Sequence, residues 1–271
     1  MIRFEEDQWA VILGGSSGFG LAAAKSLSLQ GMSVCVVHRD RRGAMERIEP
    51  HFDEIRKHGH GFLALNLDAL SERGRDETLD ALEERLATGG RIRVLLHSIA
   101  YGNLKGIVPP AGGAADGPPA IDEEDLARTI HAMGSSLLAW VQTLFSRGLF
   151  ASDARVLGLT SEGNQVAWRG YAAVSAAKAA LEAISRAIAV EFAPHGIRCN
   201  ILQPGVTDTP ALRAIPGNEA MRAMAEKRNP LGRMTRPEDV AGLVVLMSSD
   251  QAAWVNGAII PVDGGERIAP A

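Results

Sequence analysis

The sequence predicts an α/β fold: one doubly wound sheet of about seven parallel strands with helices on both faces. Three observations predict it. Short apolar runs alternate with longer amphipathic stretches along the chain. The runs are nearly continuous in apolar residues, as strands covered on both faces require. The chain has 271 residues, 46% hydrophobic and 22% charged, enough for one large domain with a sizeable core. Residues 1–271 therefore read as a single domain.

Strands are expected at residues 9–14, 33–37, 61–65, 92–98, 155–160, 197–202 and 258–262. Helices are expected at 19–30, 43–57, 71–88, 122–150, 171–192 and 237–249. Right-handed crossovers place successive helices on alternate faces. Ligands of such sheets bind beyond the carboxyl ends of the strands, where the strand order reverses. Two stretches fall outside this rhythm. Residues 102–120 are rich in Gly and Pro, including Pro109-Pro110 and Pro118-Pro119, and cannot be a helix or a central strand. They read as a flexible loop, either plain surface or a flap beside a pocket. Residues 209–236 form a long segment before the last helix.

Composition excludes several classes. The net charge of −4 gives no reason to expect a nucleic-acid or membrane surface. No stretch approaches the apolar length that spans a bilayer. The expectation is a soluble, cytoplasmic protein, with Cys35 and Cys199 as buried free thiols. The seven histidines offer no metal set; His58 and His60 lie two apart beside a glycine, which is a turn.

The first strand runs into Leu13-Gly-Gly-Ser-Ser-Gly-Phe-Gly20 and then a helix. Glycine allows a tight turn and a close backbone approach to a pyrophosphate, which the free N–H groups of the helix start attract. A strand before, a helix after and a second strand soon after lift this above a merely structural turn. It reads as a Rossmann-like dinucleotide site. The second strand is followed by His38-Arg39-Asp40-Arg41-Arg42. A guanidinium at Arg39 can hold a 2′-phosphate by paired bonds, which favours NADPH. Asp40 can still serve a ribose, which keeps NADH as the alternative.

With these motifs in order, the sequence resembles the short-chain dehydrogenase/reductase family over nearly its whole length. Asn66-Leu67 stands where that family has an Asp-Val pair against the adenine. Pro204-Gly205-Val206-Thr207-Asp208-Thr209 resembles its nicotinamide segment, and Val262-Asp263-Gly264-Gly265 its closing turn. The resemblance implies cofactor contacts from Gly14, Ser16, Ser17, Gly18, Phe19 and Gly20 in the turn. It adds Asn66, Leu67, Ser98, Ile99, Ala100 and Thr160, then Lys178, Gly205, Val206, Thr207 and Thr209. It also implies a homotetramer.

Two departures point to a branch. His97-Ser98-Ile99-Ala100-Tyr101 replaces the usual Asn-Asn-Ala-Gly, and Tyr171 and Lys178 are separated by six residues instead of three. Both resemble enoyl-acyl-carrier-protein reductases. The usual asparagine of the long helix aligns with Met133. At about 100° per residue, positions seven apart still share a helix face, about 10.5 Å apart along the axis instead of about 6 Å. Tyr171 and Lys178 are the catalytic candidates: a phenol stabilising charge on a thioester oxygen, and an ammonium holding the nicotinamide ribose. The alternative is a solvated stripe, since Lys178, Glu182 and Arg186 recur every four residues.

Tyr101, Ser161 and Tyr171 are the substrate candidates. Ser161 stands where many enoyl reductases carry a second tyrosine; it can bond substrate or simply end a strand. Tyr101 can pack on substrate or nicotinamide, or be structural. Met221, Met224 and Met234 can line an acyl channel or fill a core gap. The arginines of 209–236 can receive an acidic carrier protein or be a solvated face. The leading expectation is NADPH-dependent reduction of an enoyl thioester, with acyl carrier protein as the candidate carrier. A carbonyl or alcohol oxidoreductase and a non-catalytic nucleotide-binding regulator are the alternatives.

Overall fold

The computed structural model describes residues 2–109 and 119–269. The apolar runs form seven parallel strands. They are β1 Gln8–Leu13, β2 Ser33–His38, β3 Phe62–Asn66, β4 Arg91–His97, β5 Phe150–Leu159, β6 Ile197–Pro204 and β7 Ile259–Val262. Their order is β3-β2-β1-β4-β5-β6-β7, so the order reverses between β1 and β4. This doubly wound arrangement is the one expected from the alternation of runs and helices.

Alternation along each strand feeds two cores. Val11 and Leu13 join one with Leu79, Leu82, Trp140 and Leu181. Those partners lie on α3 (Glu72–Leu86), α5 (Ser136–Ser146) and α6 (Ala172–Glu191). Ala10 and Ile12 join the other with Ala23, Leu27, Phe52 and Val240. Those lie on α1 (Gly18–Leu29), α2 (Met45–Arg56) and α9 (Pro237–Ser248), so successive helices do not alternate between faces as expected: the chain moves outward from β1 to β3 with α1 and α2 on one face before it crosses back to β4 with α3 on the other. Trp140 is fully buried, and its indole N–H donates to Ala69 O at 2.9 Å, so its one polar group is satisfied. Truncating such a core side chain costs about 3–5 kcal/mol.

Three expectations are corrected. The helix expected over 122–150 is α4 (Glu123–Ile130), a π-helical turn (His131–Ser135) and α5, which ends at Ser146. Gly134 explains the tight packing there, since a Cβ on it would lie 2.8 Å from Ala177 O. Gly148, at φ +66°, turns the chain into β5, which starts at Phe150 rather than at 155. The segment 209–236 carries two helices, α7 (Pro210–Arg213) and α8 (Asn218–Arg228). Part of the loop expected at 102–120, residues 110–118, lies outside the described residues.

Cys35 and Cys199 are buried free thiols, and burial pushes both thiols well above their ordinary range. Among the described residues no helix is long and apolar enough to cross a membrane.

Candidate active site

The turn after β1 is built by close packing. Gly14 has φ +85° and Gly18 φ +52°, conformations that favour glycine. A Cβ on Gly14 would lie 2.5 Å from Ser98 O across the point where the strand order reverses. A Cβ on Gly20 would lie 2.3 Å from Gly14 O, so Gly20 seats helix α1 on the turn and sits behind the groove. Ser17 is the N-cap of α1 without a side-chain cap, and no acidic residue occupies the first turn. The helix start therefore offers its N–H groups and dipole to an anion.

Gly14, Ser16, Ser17, Gly18 and Phe19 line one wall of a groove; Leu67, Ser98, Ile99 and Ala100 line the other. A nicotinamide dinucleotide fits this cradle, since side chains at Gly14 and Gly20 would displace the backbone that forms it. Asn66, expected against adenine, is exposed; its Nδ2 donates to Asp40 O at 2.9 Å, and it is not among the groove residues. Arg39 lies at the groove end, but its Nη1 donates to Asp68 Oδ2 at 2.8 Å and its guanidinium lies 5.2 Å from the Tyr101 ring centre. Asp40 is paired with His38 at 3.0 Å. Tyr101, taken above as a substrate candidate, lines this groove and not the adjoining chamber. Its cation–π partner draws it to the Arg39 end.

The chamber next to the groove contains Ser161, Tyr171 and Lys178 together, with Phe19, Met133, Thr160, Val174 and Thr207. Tyr171 is the N-cap of α6 and Lys178 lies two turns deeper. The Tyr171 hydroxyl donates to Ser161 Oγ at 3.3 Å, and burial lifts its pKa above the ordinary range while that bond lowers it. Lys178 Nζ donates to Leu159 O at 2.8 Å. Its side chain is buried, and desolvation lowers its pKa to about 8 against the raising influence of Glu182. The solvated-stripe alternative is thereby overturned for two of its three members. Lys178 and Glu182 are buried, because neighbouring Leu181 packs into the sheet face and Ala177 against Ala132 and Met133; only Arg186 is exposed.

The remaining candidates divide. Gly205, Thr207 and Thr209 line the chamber. Gly205 has no room for a Cβ, which would lie 2.5 Å from Thr235 Oγ1. Thr209 Oγ1 accepts the Leu212 N–H at 3.2 Å and so caps α7. Val206 turns the other way: its N–H donates to Glu266 Oε2 at 3.2 Å, and it lines neither groove nor chamber. Thr160 Oγ1 donates to Glu182 Oε1 at 2.5 Å, toward the helix. Leu212 and Ile215 cover the chamber, whereas Met221, Met224 and Met234 do not line it. Arg213 and Arg222 pair with Asp208, Arg228 with Glu162 and Glu266, and Arg233 with Asp239. The basic surface expected on this segment is thus largely neutralised within the chain.

Sequence reasoning missed Ser175 and Glu182. Ser175 stands where the ordinary family lysine would be; its hydroxyl donates to Gly163 O. Glu182 Oε1 also accepts from Asn164 Nδ2. Their Ala-rich surroundings were the available signal of burial. His97 is buried and neutral, its pKa lowered to about 3 by burial and then by Lys178, and its Nε2 lies 2.8 Å from Ser136 Oγ.

Known proteins share this fold. The family described as Enoyl-(Acyl carrier protein) reductase matches residues 14–266. Cis-4-hydroxycyclohexanecarboxylate dehydrogenase of Sinomonas cyclohexanicum is 31% identical, with 94% of this chain and 95% of that protein covered. Galactitol 2-dehydrogenase of Rhizobium johnstonii is 28% identical, covering 94% and 93%. Among solved structures, the NADH-dependent enoyl-[acyl-carrier-protein] reductase of Aquifex aeolicus superposes with a TM-score of 0.81 at 26% identity, covering 97% and 98%. The chain is an oxidoreductase that belongs to the short-chain dehydrogenase/reductase family.

Proposed function

We infer that this chain is a nicotinamide-dependent reductase whose Tyr171 and Ser161 hydroxyls hold the oxygen of a carbonyl substrate. The observation that carries the reading is the meeting of those two hydroxyls in the chamber that also holds Lys178. The bound dinucleotide, NADPH or NADH, supplies the hydride. Tyr171 and Ser161 donate to the oxygen on which charge collects. Because burial raises its pKa, Tyr171 stays a phenol at neutral pH, the form that gives a proton to a nascent alkoxide. Lys178 lies deeper and holds ribose hydroxyls, fixing the face presented to the carbonyl carbon. Gly205, Thr207 and Thr209 close the nicotinamide end, and the turn from Gly14 to Phe19 receives the pyrophosphate.

A carbonyl substrate takes precedence over an enoyl thioester. The relatives that are dehydrogenases of cis-4-hydroxycyclohexanecarboxylate and galactitol support it. Reduction of an enoyl thioester is the second reading. The longer Tyr171–Lys178 spacing, Met133 in the chamber wall and the likeness to the Aquifex aeolicus enzyme favour it. The two share one oxygen-holding pair and differ in the carbon that receives hydride. Purified protein is offered NADPH and NADH with a ketone and aldehyde panel and with crotonyl thioester. Turnover of carbonyls alone supports the first reading; turnover of the thioester alone replaces it with the second; turnover of neither rejects both and leaves the nucleotide-binding regulator.

Arg39 beside the adenosine end supports NADPH, with Asp68 limiting its charge. A homotetramer is the expected assembly. Trp254, 97% exposed, and Val190, 74% exposed, are side chains that another copy would cover. Light scattering on the eluting protein tests this: a monomer rejects it.

A further inference from the structure

The loop that carries Ser161 is fastened at three points. Glu182 accepts from Thr160 and Asn164 on either side of it. Ser175 donates to Gly163 O. Both fasteners belong to α6, the helix that begins beyond Tyr171. The third comes from the covering segment. Arg228, the last residue of α8, donates through Nη2 to Glu162 Oε2 at 2.5 Å and to Glu266 Oε1 at 3.2 Å. The other oxygen of Glu266 accepts the Val206 N–H at 3.2 Å. One guanidinium therefore joins α8, the Ser161 loop and, through Glu266, the segment after β6.

The cluster is largely dry. The side chains of Arg228, Glu162 and Glu266 are 16%, 18% and 2% exposed. Charge-assisted bonds in such surroundings are stronger and more selective in geometry than surface pairs. Arg228 Nε is buried with no hydrogen-bond partner among the described residues, so the guanidinium forgoes one bond to serve both carboxylates. Without that cation, Glu162 and Glu266 would repel across the gap it fills. Movement of Glu162 would reach the reacting groups directly. Ser161 is its chain neighbour, and the Gly163 backbone lies against the Tyr171 ring, where a Cβ would be 2.4 Å from the ring edge.

We propose that Arg228 is a positioning residue that couples the placement of α8, the helix next in the chain after the chamber-lining Leu212 and Ile215, to the alignment of the Ser161 and Tyr171 hydroxyls. The proposal rests on the reading of that pair as the oxygen-holding groups. It separates Arg228 from Arg213, Arg222 and Arg233, whose partners Asp208 and Asp239 lie outside the Ser161 loop.

The chain has two tyrosines, so ring-labelled ¹³C-tyrosine NMR reports Tyr171 directly, with Tyr101 as internal reference. The variants are Arg228→Met, Arg228→Lys and Glu162→Gln, each compared with wild type for unfolding midpoint, cofactor Kd, kcat and KM. In Arg228→Met the Tyr171 resonance moves and broadens while Tyr101 stays, and Arg228→Lys restores part of the shift. Turnover falls about tenfold to a hundredfold through kcat, as expected of a misplaced reacting group, with cofactor Kd unchanged. If Arg228→Met does not fold, Glu162→Gln, which keeps the Arg228–Glu266 pair, decides the matter. An unmoved Tyr171 resonance in folded Arg228→Met and Glu162→Gln overturns the coupling. A Tyr171 shift in a protein that turns over neither carbonyls nor enoyl thioesters supports the coupling and rejects the functional reading instead.

Discussion

Replacing Lys178 by methionine should make the cofactor-free protein more stable while weakening its hold on the nicotinamide cofactor. Methionine preserves most of the lysine's length and volume, so the change is mainly one of charge. Burial lowers the ammonium pKa from 10.5 to about 8. That fall corresponds to roughly 3 kcal/mol against keeping the charge in place. The substitution also removes the hydrogen bond to Leu159 O, which is worth about 1 kcal/mol. The net expectation is a gain of about 2 kcal/mol near neutral pH. The pH dependence has a definite sign. Below about pH 8 the lysine is charged in both folded and unfolded chains, so the wild type bears the whole cost. Between about 8 and 10.5 the folded protein has shed the proton and the unfolded chain still holds it, so wild-type stability rises with pH. The advantage of Lys178→Met therefore shrinks across that window. Urea unfolding of both proteins, without cofactor, at about pH 7 and about pH 10 reads the difference. Cofactor titration completes the assay. A variant less stable than wild type at neutral pH, or a gap that does not change with pH, would refute the reasoning that Lys178 is a desolvated cation retained for a ligand.

The other predictions follow from the same site. Tyr171→Phe should lower kcat by about a hundredfold, the usual cost of removing an oxyanion donor, with little change in cofactor Kd; Ser161→Ala should do the same more weakly. Because burial holds the Tyr171 phenol above its ordinary range, reduction should stay level through neutral pH and fall only under strongly alkaline conditions, while alcohol oxidation rises there; a pH–rate profile that falls near neutrality contradicts this. Arg39→Ala should shift preference toward NADH, and Asp68→Asn toward NADPH by a few-fold, the scale of an exposed ion pair; kcat/KM for both cofactors checks the pair. Gly20→Ala should abolish cofactor binding without unfolding the chain, since its Cβ would meet Gly14 O at 2.3 Å and push the phosphate turn out of shape.

The architecture was legible because period and length carry it. Strands and crossover helices follow from apolar runs such as 33–37 and 197–202, and the glycine turn marks the switch point. The Tyr171–Lys178 pair was legible because the surrounding segments resemble the family, and a seven-residue step is consistent with one helix face. What the sequence concealed is where polar side chains turn once the backbone is folded. Arg39 looked like a free phosphate ligand, yet Asp68, which is distant in sequence, engages it. Tyr101 followed Arg39 to the cofactor end, and Val206 turned its N–H to Glu266. Glu182 matched a solvated stripe by spacing, although its contacts with Thr160 and Asn164 lie across the chamber wall. The interruption after Ile130 escaped notice because a π turn preserves the helical pattern on both sides.

The central claim is that hydride arrives at a carbon whose oxygen is held by Tyr171 and Ser161. Turnover with NADPH deuterated on the transferred position, followed by NMR of the product, tests it most directly. Deuterium is expected on the carbinol carbon of a ketone-derived alcohol, in wild type and at a much reduced rate in Tyr171→Phe. Deuterium at the carbon β to a thioester instead, or equal transfer by wild type and Tyr171→Phe, would contradict it.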